Sequence, residues 1–321
     1  MYRIWLDEQP LESVLGMLSG VAELIGPGAA IGELGACDGA LDPGARWTSE
    51  RMDGAGRLQV ISRIGVGVDN IDIPAATSRG IVVCNTPAAP SQSTAEHTVG
   101  LIFATAKNLV NADRRTRGGN WHANFRTSKG LELNEQVLGL VGAGRIGGLV
   151  ARMMRAVGMR VLAFDPALSA DRAVELGVER VGSLEALLRQ SDVVSLHAPA
   201  TAETRHLLNA DRLRQMKRGA VLINTSRGAL VDEAALAEAL QSGHLGAAGL
   251  DVFEREPVDP ANILLGLENV VVTDHIASHT WAGHHRLYET AVVHLLGVLR
   301  GERPSTVLNP DVWDIRERSG R

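Results

Sequence analysis

The chain has 321 residues, a formal net charge of −5 and only 3% aromatic side chains. That balance supplies neither the cations that neutralise phosphates nor the rings on which bases stack, so no nucleic acid is expected as a partner. Two domains fit the length, and 45% apolar content is ordinary for a soluble protein. No uncharged apolar stretch reaches about 18 residues, and Met1–Pro10 lacks a basic region followed by an apolar one, so no membrane partner is expected. Cys37 and Cys84 make no CxxC pair and no disulfide framework; buried thiols in a reducing compartment, the cytoplasm, are expected.

In chain order, the first hundred residues alternate short β-type runs such as VISRI and IVVC with helix-like or turn-rich pieces, an α/β pattern that closes on the Pro-rich loop of GIVVCNTPAAPSQS. Ser93 and Glu96 then have capping-box spacing ahead of a helix-compatible stretch, which predicts the start of a long helix. After a Gly-rich polar segment come VLGLV, RVLAF, DVVSLH, AVLIN, AAGLDV and NVVVT, separated by helix-like segments such as RIGGLVARMMRAVG. Alternation on that scale predicts a parallel, doubly wound sheet. From Trp281 a periodic apolar stretch predicts a helix ending near Gly301, followed by a tail, RERSGR, expected to be solvated.

Gly142, Gly144 and Gly147 spell GxGxxG, a weak signal by itself in a chain with 35 glycines. Context strengthens it, because the motif follows an apolar strand and opens a helix through Arg145 and Ile146, and the next strand ends on Asp165. Glycines let the backbone approach a pyrophosphate at a helix N-terminus, and the acidic residue accepts from the adenosine ribose. A carboxylate at Asp165 would repel a 2′-phosphate, and Pro166 brings no compensating cation, so NAD is expected over NADP. The competing reading of Asp165 is a turn or helix cap.

The segment from Leu196 to Pro257, together with GVGVDNIDIPAATSRGIVVCNTP and STAEHT in the same order, resembles the D-isomer-specific 2-hydroxyacid dehydrogenase family, which includes phosphoglycerate dehydrogenases and hydroxypyruvate or glyoxylate reductases. The resemblance covers nearly the whole chain. It implies two Rossmann-like or flavodoxin-like α/β domains: a substrate domain of residues 1–98 and 286–321, and an NAD-binding Rossmann domain of residues 99–285 inserted into it. It also implies two crossings, near Ser93 and Trp281, with a cleft that closes over substrate and expels water.

The resemblance further implies hydride transfer between NAD and a small 2-oxo or (R)-2-hydroxy acid. Arg227 matches the family's carboxylate-binding arginine, whose planar guanidinium suits two-point contact. His275 matches the proton donor and acceptor, and Glu256 the carboxylate that keeps it protonated. Backbone amides around Val66 and Gly67 match the loop that takes the other side of the carboxylate. His197, Thr225 and Asp251 match cofactor-side positions, Asp251 at the carboxamide. The segment RGGNWH, Arg117 to His122, matches a dimer arm, so a homodimer is expected.

His279, four residues after His275, raises a metal pair, but the segment follows a strand and precedes a helix, so the spacing is read as incidental and no metal is expected. His284 and His285 read as solvated early helix, with one of them open to lining the cleft. Asp274 stands where many relatives have proline, and either raises the pKa of His275 or faces solvent. Pro43 stands near the place where phosphoglycerate dehydrogenases carry a phosphate-gripping arginine, with Arg46 displaced, and Trp47 and Trp281 are each open to pocket or core. A nucleotide-sensing scaffold of the same fold is the alternative function.

Overall fold

The structure is a computed structural model and describes every residue except 28–30, 122–128 and 320–321. It falls into two compact units, Met1–Pro90 with His279–Arg321 and Ser91–Ser278. Both boundaries lie seven or eight residues before those expected from the sequence.

The first unit opens with β1 (Tyr2–Leu6), α1 (Glu12–Leu18), β2 (Ala22–Ile25), β3 (Gly39–Asp42), α2 (Ser49–Asp53), β4 (Val60–Arg63), α3 (Ile73–Ser78) and β5 (Val82–Cys84). The strands form one parallel sheet in the order β2-β1-β3-β4-β5. Its central strands β3 and β4 are buried at all but the last residue, Arg63, because both faces are covered, as a doubly wound sheet requires.

The second unit begins with α4 (Ser91–Ala106) and α5 (Leu109–Arg117), then runs β6 (Val137–Val141), α6 (Arg145–Ala156), β7 (Arg160–Phe164), α7 (Ala170–Leu176), β8 (Glu179–Arg180), α8 (Leu184–Gln190), β9 (Val193–Leu196), α9 (Ala210–Gln215), β10 (Val221–Asn224), α10 (Glu233–Gln241), β11 (Ala247–Leu250) and β12 (Val270–Val272). Its seven strands are parallel in the order β12-β11-β10-β9-β6-β7-β8. The strand order reverses between β6 and β9, the place where ligands bind in open sheets of this kind. One face packs on α4 and α6 through Leu101, Ile102, Val150 and Met154, and the other on α8 to α10 through Leu187, Leu213 and Leu236.

The chain returns to the first unit with α11 (Trp281–Leu299), capped by Thr280 Oγ1 accepting from Gly283 N at 2.9 Å, and ends with α12 (Val312–Ser319). Leu287, Tyr288, Ala291 and Leu295 of α11 pack on the sheet with Ile4, Leu41 and Val60.

Two expectations need correction, and one open reading is resolved. The helix at the first crossing starts at Ser91, so Ser93 is buried within its first turn rather than standing at its N-cap; the turn after Pro90 begins the helix two residues earlier. The expected solvated tail fails at Arg316, and ahead of it Asn309 accepts from Val83 N (2.9 Å) and donates to Ile81 O (2.9 Å), covering the edge of β5. Arg316, 6% exposed, donates to the carbonyls of Gly80 and Gln59. Trp47 is core, edge-to-face with Trp5 at 5.8 Å and beneath the Arg51 guanidinium, whereas Trp281 is 85% exposed.

Candidate active site

The candidate residues of the second unit all follow the carboxyl ends of its parallel strands. After β6 comes the glycine turn. Gly142 has φ +98°, and a Cβ there would stand 2.7 Å from the His197 carbonyl oxygen. A Cβ on Gly147 would stand 2.3 Å from Gly142 O. Only hydrogen fits at either place, and that closeness presses the turn onto the start of α6. Gly144, the N-cap, has no side-chain cap and open space before it, and no acidic residue occupies the first turn of α6. The uncapped amides of Arg145, Ile146 and Gly147 and the positive end of the helix therefore suit an anion such as a dinucleotide pyrophosphate.

Asp165 ends β7. Its carboxylate accepts from Ala143 N (2.9 Å) and Ala167 N (2.8 Å), so it ties the strand end to the glycine turn and caps the turn that follows it. His197, at the end of β9, is buried, and its Nε2 meets Ser195 Oγ at 3.0 Å. Burial pushes its pKa down to about 4, so its ring is neutral. Thr225, after β10, is buried with its hydroxyl 2.7 Å from that of Thr98 on α4.

Arg227 follows on the same turn, half-buried, with Nη1 donating to Ser226 O at 2.7 Å. The next residue explains why this turn meets the loop after β11. A Cβ on Gly228 would lie 1.9 Å from the Phe253 carbonyl carbon, so the two backbones touch only because position 228 lacks a side chain. The loop from Phe253 then folds back on itself, with Phe253 N donating to Glu256 Oε1 at 3.0 Å. The other oxygen, Oε2, accepts from His275 Nδ1 at 2.6 Å.

This short charge-assisted bond raises the pKa of His275, against the opposing effect of burial. For Glu256, burial acts upward and is outweighed by the bonds from His275 and Phe253 N, so its pKa lies below the usual value. Arg227 acts on both groups through its charge, which places the three residues in one electrostatic cluster. Asp274 is exposed and is not among the leading influences on His275, which favours the solvent-facing reading of that substitution.

His275 sits at φ +58°, an uncommon conformation for a side-chain-bearing residue. Asp251, 1% exposed at the end of β11, holds it there. His275 N donates to Asp251 O (2.9 Å), and the Asp251 carboxylate accepts from Thr273 Oγ1 (2.6 Å), Ile276 N (2.9 Å) and Ala277 N (3.0 Å). His97 on α4 closes the group, its Nε2 3.0 Å from Thr273 Oγ1. Sequence reasoning missed this bracing of the histidine turn by Asp251, Thr273 and His97, because the three lie far apart along the chain. Gly228 was also missed, although its place directly after Arg227 was a signal.

In the first unit, Val66 and Gly67 lie in the loop after β4, and neither amide has a hydrogen-bond acceptor among the described residues. His279 belongs to this unit as well. Among the described residues no group of three or more His, Cys, Asp or Glu side chains is arranged to hold a metal. His284 is half-buried edge-to-face on Tyr288 at 4.8 Å, and His285 lies 3.6 Å from Glu289, so the pair is more engaged than its sequence suggested.

The NAD-binding-domain model of the D-isomer-specific 2-hydroxyacid dehydrogenases matches residues 99–277. The chain belongs to that family. It is 44% identical over 270 residues to a glyoxylate reductase of Korarchaeum cryptofilum, covering 84% of this chain and 81% of that protein. It is 46% identical over 232 residues to a D-3-phosphoglycerate dehydrogenase of Archaeoglobus fulgidus, covering 72% of this chain but only 44% of the relative. Among solved structures, the NADPH-dependent glyoxylate/hydroxypyruvate reductase of Sinorhizobium meliloti in complex with citrate superposes with a TM-score of 0.86 at 30% identity, covering 97% of this chain and 99% of that one. The chain is thus an NAD-dependent oxidoreductase of the D-2-hydroxyacid type, with an α/β fold of Rossmann-like NAD-binding and separate substrate domains. No helix among the described residues is long and apolar enough to cross a membrane.

Proposed function

We propose that the enzyme reduces a small, unphosphorylated 2-oxo acid of the glyoxylate or hydroxypyruvate kind, with His275 as acid/base, Glu256 as its partner and Arg227 as the carboxylate ligand. The observation that carries this reading is the 2.6 Å bond from His275 Nδ1 to Glu256, which leaves Nε2 as the proton-bearing atom for substrate. Bound NADH supplies a hydride to the 2-carbon. His275 gives the Nε2 proton to the 2-oxygen, and the imidazole left behind stays bonded to Glu256; in the oxidative direction the neutral ring takes that proton back. Arg227 receives the carboxylate, and the loop of Val66 and Gly67 is read as a carboxylate-binding element of the first unit. Gly142, Gly144, Arg145, Ile146 and Gly147 would form the pyrophosphate cradle, with Asp165 as the ribose acceptor and His197, Thr225 and Asp251 on the nicotinamide side.

The preference for an unphosphorylated acid rests on the loop after β3. Asp42 there is fully buried, Pro43 brings no charge and Arg46 is exposed, its carbonyl occupied by Arg51. The guanidiniums that reach this loop are engaged on its carbonyls, Arg63 at Asp42 O (3.1 Å) and Arg51 at Arg46 O (3.2 Å), which favours an acid without a phosphate. The domain limits follow the compact units, with the substrate domain formed by the first. We also infer a homodimer: Leu109, Val110, Ile263 and Leu265 are exposed apolar side chains of the second unit, and the expected arm at Arg117–His122 lies partly outside the described residues. Unpaired, buried Cys37 and Cys84 support the cytoplasm as the compartment.

The test is NADH oxidation with glyoxylate, hydroxypyruvate and phosphohydroxypyruvate. Turnover of the first two well above the third is expected. Tight NADH binding without turnover of any 2-oxo acid would return the scaffold reading.

A further inference from the structure

The Pro-rich loop after β5 contributes to no step above, yet Asn85 and Thr86 at its start reach into the loop that carries Val66 and Gly67. Three successive carbonyls of that loop are each held by a donor. Gly65 O accepts from Thr86 N at 2.9 Å, Val66 O from Asn85 Nδ2 at 2.8 Å and Gly67 O from Arg63 Nε at 3.0 Å. Thr86 Oγ1 also accepts from Gly65 N at 2.9 Å. Asn85 is 7% exposed and rooted at the end of a buried strand, so its amide is a fixed donor.

A trans peptide is planar, with its C=O and N–H on opposite sides. The carbonyl of Val66 and the amide of Gly67 belong to one such plane, so whatever holds the first inward turns the second outward. Gly67 has no Cβ to resist rotation of that plane, and Gly65, at φ +150°, already uses the freedom glycine allows. Without a donor on Val66 O the peptide can turn over and present a carbonyl, which repels a carboxylate.

We propose that Asn85 is a positioning residue for the substrate carboxylate: by donating to the Val66 carbonyl it fixes the Gly67 N–H outward, beside the Val66 N–H that Thr86 fixes in the same way. Two adjacent amides aimed together form an anion-binding nest. Arg63 braces the following peptide and joins this loop to the β3 loop through Asp42 O at 3.1 Å, without orienting either of the two amides. The inference rests on the reading that this loop receives the carboxylate.

The experiment uses Asn85→Asp, which keeps the shape but removes the donor, Asn85→Ala, and Arg63→Gln as the comparison. KM and kcat for glyoxylate and the affinity for oxalate, a carboxylate with no reducible carbonyl, are measured with cofactor bound, alongside NADH affinity and Tm. Loss of one hydrogen bond to a charged group predicts a rise of about tenfold or more in KM and in oxalate Kd for both Asn85 variants, with NADH affinity unchanged. Arg63→Gln should raise KM less. If Asn85→Ala does not fold, the isosteric Asn85→Asp carries the test. Oxalate affinity unchanged within twofold in a folded Asn85 variant, or a larger KM effect from Arg63→Gln, overturns the proposal. Wild-type protein that neither binds oxalate nor turns over a 2-oxo acid overturns the underlying functional reading instead, and is seen before any variant is made.

Discussion

The two units share a doubly wound parallel architecture, but their carboxyl edges handle negative charge differently. In the second unit the strand ends carry ionised side chains: Arg227, Glu256 and His275 form one charge cluster, and the turn bearing the histidine is held by the buried Asp251. In the first, the loop after β4 offers bare amides, aimed by Thr86 and Asn85 and braced by Arg63. The lesson is a physical one. A proton can be moved only by a group that titrates, whereas an anion can be bound by dipoles that never change charge, so the first edge needs fixed geometry and the second a tuned pKa.

Breaking the titrating edge should have the largest effect. His275→Ala removes the general acid and should lower kcat for 2-oxo acid reduction by about 10²–10⁴-fold while NADH affinity stays the same. Equal turnover in variant and wild type would remove the histidine from the mechanism. Arg227→Lys comes next: a point charge replaces the planar fork, and a loss of about 10–100-fold in kcat/KM is expected, larger for substrate than for cofactor binding.

Glu256→Gln sharpens the comparison through pH. The bond to Glu256 raises the pKa of His275, so the imidazolium needed for reduction persists to higher pH than in a free histidine. Reduction should be flat at low pH and fall as pH rises through that raised pKa, and oxidation should do the reverse. In Glu256→Gln the fall should begin at lower pH, and an unmoved profile would show that the pair does not tune the reaction. By linkage the same bond stabilises the folded chain below the ordinary histidine pKa, and that contribution is lost as pH rises through the raised value. Its size is small because both side chains are at least a third exposed.

The smallest effect is expected from Asp274→Asn. An exposed carboxylate that is not among the leading influences on His275 should shift neither the pH profile nor kcat by more than about twofold, since solvent screens it. A marked shift would assign it the tuning role now given to Glu256.

Much of this was legible in the sequence because strand patterns and glycine spacing are local. VLGLV, RVLAF and AVLIN read directly as the strands whose ends carry the glycine turn, Asp165 and Arg227. What escaped depends on distance along the chain. Thr273, His97 and Asp251 meet only after the sheet has formed, and nothing near Asn85 says that its amide crosses to Val66. The charged C-terminus misled for the same reason: Arg316 looks solvated by its neighbours, but it is buried against carbonyls at Gln59 and Gly80. Ser93 misled more locally, because its capping spacing was real and the helix simply began earlier.

One measurement bears most directly on the proton-transfer pair: the pH dependence of NADH-linked glyoxylate reduction in wild type and Glu256→Gln, run side by side at saturating cofactor. A descending limb that moves to lower pH in the variant is the predicted result. Coincident limbs, or no reduction of any 2-oxo acid by the wild type, would contradict the assignment of His275 and Glu256 as the pair that moves the proton.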